Sequence, residues 1–179
     1  MKLYLFNTFT NLRNKQEFIS AIVESIKSNK KKTFFGHNSQ SIYLIKKNEL
    51  FASAINKFDF TFADGLSISI AAKILLNQRI KKITLHQIFN PDIKNLFTEK
   101  NYSIFCLGTT DKVLNKFKEK YSDLNIVGLR NGYFDKTIES ELVIAEINKT
   151  KPNILLVGMG IPLAEIWIQN NIDKLNANC

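Results

Sequence analysis

The sequence is short of the residues from which metal centres and disulfide frameworks are built. It has two cysteines, Cys106 and Cys179, far apart and without CxxC spacing. That argues against a disulfide scaffold or thiolate zinc site and fits a reducing compartment. The two histidines, His37 and His86, are isolated, with no third ligand at metal spacing, so no metal and no cofactor are expected. No run approaches the roughly 18–20 apolar residues of a membrane span. The apolar opening, Met1 to Phe6, is too short for a signal peptide. Any membrane contact is therefore expected to be peripheral. Acidic residues are also scarce, 16 against 25 basic ones, for a formal charge of +9. The excess favours an anionic partner: nucleic acid, a phosphorylated ligand or an acidic lipid surface. Lys and Asn beside abundant Ile are equally a compositional habit of AT-rich genomes. Around Lys30-Lys31-Lys32 no aromatics alternate with the basic residues, so a nucleic-acid platform is not expected.

What is present is a core. Hydrophobic residues make up 45% of the 179, with 14 Phe, which suits one α/β domain rather than a disordered chain. Residues 16–27 put Phe18, Ile19, Ile22, Val23 and Ile26 on one helical face. Strands are predicted at 33–36, 58–62, 103–107, 124–127 and 153–157. Helices are predicted at 39–55, from Gly65 to about Leu76, to about Lys120, at 138–149 and at 163–172. Apolar strands that end in glycine loops and open helices predict a Rossmann-like parallel sheet with helices on both faces. The segment 89–101, with Pro91, is the expected seam between two closely packed lobes, about 1–95 and about 96–179.

Ligands of such sheets gather beyond the carboxyl ends of the strands. Three loops are expected to converge there: Gly108-Thr109-Thr110, Asn131-Gly132-Tyr133 and Gly158 to Pro162. Their glycines serve either tight turns or close approach of a ligand, and the helix N-termini beyond them favour anions. Neither GxGxxG nor GxxxxGK[ST] is present, so dinucleotide and P-loop readings lack support. Asp64, after an apolar strand and before Gly65, is either a helix cap or a general base facing the crevice. Asn38 is either a cap or an amide that binds a hydroxyl. Lys81-Lys82 is either solvated surface or a cation for a phosphate. Cys106, in an apolar run, reads as a buried free thiol.

Taken in order, these segments resemble the WecG/TagA/CpsF glycosyltransferase family. The resemblance rests on Leu5-Phe6-Asn7-Thr8, Phe35-Gly36-His37-Asn38, Phe62-Ala63-Asp64-Gly65, Phe105 to Thr110, and Asn131-Gly132-Tyr133-Phe134. It ends on Leu156 to Pro162 with Glu165, Trp167 and Ile168. It implies a metal-independent, inverting transfer of an N-acetylmannosamine-type sugar, or its uronic acid, from UDP. The acceptor would be a polyprenyl-diphosphate-linked sugar of a cell-surface polysaccharide, at the inner face of the cell membrane. Asp64 would be the base. UDP would lie against Gly108, Thr109, Tyr133, Gly158, Gly160 and Glu165, with Asn38 near the sugars and Lys82 near phosphate.

The sequence departs from the family pattern where Gly36 replaces Thr, Lys82 replaces Arg, Leu85 and Gln87 replace Gly and Asp, and Ala164 replaces Gln. Lysine keeps the charge but loses the bidentate geometry. The family's Arg- and aromatic-rich C-terminal segment has no counterpart before Cys179, which predicts an exposed apolar patch and self-association. Those departures leave a non-catalytic nucleotide-sugar-binding or partner protein as the alternative reading. A nucleic-acid-binding domain rests on charge alone.

Overall fold

The computed structural model describes residues 2–84 and 91–179. The chain divides into two compact units, Met1–Ile93 and Lys94–Cys179. The division falls within a helix, α5 (Pro91–Glu99).

The first unit begins with a pair that sequence patterning did not predict, β1 (Leu3–Leu5) and β2 (Thr8–Thr10), antiparallel across a turn at Phe6 and Asn7. Three-residue strands carry too few residues for alternation to register. Helix α1 (Lys15–Lys27) starts at Asn14, whose Oδ1 accepts from the Glu17 N–H at 3.0 Å. The Glu17 carboxylate answers by accepting from the Arg13 N–H at 2.8 Å. The helix buries Phe18, Ala21, Ile22 and Ser25, so its inward stripe is centred on smaller residues than the expected Phe-Ile-Val face. Strands β3 (Phe34–His37) and β4 (Phe60–Ala63) pair in parallel, Phe34 opposite Phe60 and His37 opposite Ala63. Phe18 meets the Phe62 ring edge-on at 5.0 Å. The expected helix at 39–55 is two helices, α2 (Ser39–Lys47) and α3 (Glu49–Asn56). Asn48 ends the first and caps the second, accepting from the Phe51 N–H at 2.9 Å. An Asn side chain that satisfies a new helix start competes with continuation of the old one. Helix α4 (Leu66–Leu76) follows β4.

In the second unit β5 (Ile104–Gly108) is flanked by β6 (Ile126–Arg130) and β7 (Ile154–Gly158), all parallel, in the order β6-β5-β7. Every residue of β5 is buried, as a central parallel strand requires. Helices α6 (Asp111–Lys120), α7 (Ser140–Thr150) and α8 (Leu163–Asn171) alternate with the strands. Phe105, Leu107, Phe134, Val143, Ile144, Ile147, Trp167 and Leu175 form its core. Trp167 satisfies its buried indole N–H on Ser140 Oγ at 2.8 Å. Gly128, expected to end a strand, lies inside β6. A Cβ there would meet the Phe105 ring at 2.3 Å, so this glycine makes room for an aromatic. Cys106 is a buried free thiol, its pKa pushed up to about 12 by burial. The α/β class and parallel strands with alternating helices are as expected. The strands, however, are shared among three sheets.

Candidate functional site

In the first unit the carboxyl ends of β3 and β4 present side chains. The Asp64 N–H donates to His37 O at 2.8 Å, which fixes the aspartate beside the start of α2. The cap of α4 is Gly65, one residue beyond Asp64, so Asp64 does not hold the capping position. A Cβ on Gly36 would lie 2.7 Å from Asp64 Cβ and 2.9 Å from the Phe62 ring. The glycine that stands for the family's Thr therefore leaves the volume in which Asp64 and Phe62 sit.

Asn38 is the cap of α2: its Oδ1 accepts from the Ser41 N–H at 2.9 Å, and Ser41 Oγ accepts from the Asn38 N–H at 3.0 Å. A cap of this kind contributes about 1 kcal/mol. It engages the carbonyl oxygen and leaves the amide NH2 as the group with which Asn38 can meet a ligand, so the two readings of Asn38 are compatible. Its Cα and Cβ lie 3.7 Å from where a Gly65 Cβ would be, and Ser39 Oγ and Ser67 Oγ are 2.9 Å apart. The two helix starts thus abut.

His37 is buried. Its Nε2 is 3.1 Å from Phe9 O and 3.2 Å from Thr8 Oγ1. A carbonyl can only accept, so Nε2 carries the proton. Burial drives its pKa down to about 4, against the raising effect of the Phe9 carbonyl. The ring is a neutral tie between β2 and β3. Lys82 is exposed, and the next residue, Ile83, donates its N–H to Ala63 O at 2.8 Å. The basic segment is thereby laced to the strand end that carries Asp64. Leu85 and Gln87 lie outside the described residues.

In the second unit the three glycine loops meet. The Thr109 N–H donates to Gly158 O at 3.1 Å, and the Gly132 N–H donates to Thr109 O at 3.0 Å. Gly108 has φ +148°, and a Cβ there would lie 2.3 Å from Gly158 O. No other residue type fits. Thr109 follows at φ 45°, an uncommon backbone for a β-branched residue. Gly158 and Gly160 differ from Gly108: a Cβ on either would meet nothing within 4 Å. The backbone there is open. Asn131 donates from Nδ2 to Asp111 Oδ2 at 3.0 Å and accepts from the Tyr133 N–H at 3.2 Å.

Phe134 is anchored against Trp167, edge-on at 6.1 Å, whereas Tyr133 is 79% exposed. Lys136 secures this loop, donating from Nζ to Gly132 O at 2.8 Å and Phe134 O at 2.7 Å, with the ammonium 3.7 Å from the centre of the Phe134 ring. Partial burial lowers its pKa, against the raising effect of Glu139 and Asp135. The sequence carried no signal for Lys136, since a lysine after a turn is ordinarily solvated.

The helix starts of this unit suit an anion less than expected. Asp111 occupies the first turn of α6. At α8, Pro162 has no N–H and the Ala164 N–H is already bonded to Gly160 O at 3.1 Å. Ala164 itself is buried, so its methyl packs where the family pattern has an amide. Glu165 is also buried, with Oε2 lacking a hydrogen-bond partner. Burial raises its pKa to about 7, only partly offset by its own backbone N–H. A carboxyl poised between its two forms can accept from or donate to a hydroxyl. Such a group suits a hydroxyl better than an anion.

Parallel strands alternating with helices, with open glycines at one set of strand ends, define an α/β protein of parallel sheets. Residues 3–179 match the glycosyl transferase WecG/TagA/CpsF family, and the chain belongs to it. Similar proteins include the N-acetylglucosaminyldiphosphoundecaprenol N-acetyl-beta-D-mannosaminyltransferases of Staphylococcus aureus strains NCTC 8325 and MRSA252. Each is 24% identical over 165 residues, covering 82% of this chain and 62% of the relative. The chain thus spans less than two thirds of the length of these relatives.

Proposed function

We propose that this protein is an inverting glycosyltransferase that moves an N-acetylmannosamine-type sugar, or its uronic acid, from UDP to a polyprenyl-diphosphate-linked sugar. The observation that carries the reading is Asp64, a part-buried carboxylate anchored through its own amide to His37 O at 2.8 Å. Asp64 takes the proton of the acceptor hydroxyl. That oxygen forms the new bond to the anomeric carbon, the bond from the anomeric carbon to the phosphate oxygen breaks, and UDP leaves with the electron pair. Lys82 meets the charge on the diphosphate, and the reading calls for no metal. Asn38 orients sugar hydroxyls through its amide NH2. Gly108, Thr109, Tyr133, Gly158 and Gly160 line the UDP crevice, with Glu165 toward the ribose. Among the described residues no helix is long and apolar enough to cross a membrane. A lipid-linked acceptor nevertheless calls for peripheral attachment at the cytoplasmic membrane face.

The test is a transfer assay with UDP-N-acetylmannosamine and a polyprenyl-diphosphate N-acetylglucosamine acceptor, with and without a chelator. Turnover should survive chelation and fall by about 10²–10⁴-fold in Asp64→Asn. An Asp64→Asn variant as fast as the parent removes Asp64 as the base. A second reading, a nucleotide-sugar-binding protein without turnover, is favoured by the buried methyl of Ala164. UDP binding without transfer across a panel of donors and acceptors would establish it.

A further inference from the structure

Helix α4 turns the wrong face outward for a helix of a water-soluble domain. Ile68 and Ala72 are buried, but Leu66 is 63% exposed, Ile70 48% and Ile74 74%. These three recur every fourth residue and so form one ridge. Lys73, also exposed, lies seven residues after Leu66 and three after Ile70, on the same ridge. No acidic residue occurs between Leu66 and Thr84, whereas Lys73, Arg79, Lys81 and Lys82 do. All four cations are exposed.

An apolar stripe mixed with basic residues and free of acid is the pattern of a helix lying in a membrane interface. Its apolar side chains enter the acyl boundary while lysine stems reach back to the headgroups. A second copy of the chain fits less well. A two-fold contact on this ridge would bring Lys73 and its neighbours against their own kind.

We infer that the exposed face of α4 docks on an anionic lipid surface. The ridge begins at Leu66, two residues after Asp64, so docking would hold that carboxylate at the membrane boundary. There the sugar of a lipid-linked acceptor, tethered through its diphosphate, is presented. The role for the acceptor rests on the transferase reading; the docking surface does not.

The test is flotation of the full chain with vesicles of phosphatidylglycerol and phosphatidylcholine, or of phosphatidylcholine alone. The parent should float with the anionic vesicles only. Ile70→Ser with Ile74→Ser should lower the bound fraction at least tenfold. Lys73→Glu should weaken binding severalfold, and Leu142→Ser, an exposed leucine on α7, should leave it unchanged. Thermal melts matching the parent establish that the variants fold. Parent-like binding by a folded double variant overturns the proposal. So does a double variant whose only change is loss of self-association in light scattering, which would assign the ridge to a second copy. Transfer to a short-chain, water-soluble acceptor should be the same in the parent and the double variant. Absence of transfer in both would count against the transferase reading and leave the docking result standing.

Discussion

The two units solve the strand-end problem in opposite ways. At the ends of β3 and β4 the chain offers side chains: Asp64, the amide of Asn38 and the exposed Lys82, with Gly36 only making room. At the ends of β5, β6 and β7 it offers backbone. Gly108, Thr109, Gly132 and Gly158 interlock, and Gly158 and Gly160 stay open. A proton transfer needs a titratable group at a fixed point, whereas a large planar ligand needs surface without side chains. The first unit's strand ends therefore present groups able to move a proton, and the second unit's present backbone that a ligand can approach closely.

The sharpest way to break this comparison is Gly108→Ala. Its Cβ would fall 2.3 Å from Gly158 O at φ +148°. We expect a loss of more than about 4 kcal/mol in chemical denaturation, at the exceptional end for a single substitution. Parent-like stability would mean that the loops are not interlocked.

Next in size are two pH effects of opposite sign. His37 has its pKa lowered from 6.5 to about 4, so the fold favours its neutral form. Its contribution is complete above pH 6.5 and is lost as pH falls toward 4. Glu165 has its pKa raised from 4.5 to about 7, so the fold favours its protonated form. That contribution is complete below pH 4.5 and is lost as pH rises through 7. Each amounts to about 3 kcal/mol by linkage. Urea titrations across this range should show His37→Gln flattening the acid limb and Glu165→Gln flattening the neutral one. A parent-like slope in either variant removes that group as the cause.

Gly158→Ala sharpens the comparison instead. With nothing within 4 Å of the added methyl, stability should stay within about 0.5 kcal/mol of the parent. UDP affinity should nonetheless drop about tenfold, or 1.4 kcal/mol, by calorimetry. Unchanged affinity would move the nucleotide away from this glycine. The smallest effect is expected for Gly65→Ala, whose nearest neighbour is 3.4 Å away. Only a cap preference is at stake there, about 0.5–1 kcal/mol in a thermal melt. A larger loss would mean that the abutting starts of α2 and α4 tolerate no added atom.

Much of this was legible in the residues, for identifiable reasons. The five parallel strands were predicted close to their true positions because buried strands are near-continuous apolar runs bounded by glycine or polar turns. The helix start at Asn38 was visible because a capping side chain is a local device, whereas the cap at Asn14 emerged only from the structure. The antiparallel β1–β2 pair escaped because strands of three residues leave no period to detect. Asn48 hid a break because Asn interrupts a helix only when its side chain finds a new start to cap.

The sequence by itself determined the α/β class, the alternation of strand and helix, and the order of the motifs that the family shares. All three follow from short-range periodicity and turn chemistry. Only the tertiary structure decided which glycines are spacers and which are open. Gly128 accommodates Phe105, Gly108 accommodates Gly158, and Gly160 faces nothing within 4 Å. It alone turned His37 into a neutral core tie, left Glu165 Oε2 without a partner, and set the apolar ridge of α4 outward. A residue's neighbours across the chain set its burial, protonation and available space, and no local pattern encodes them.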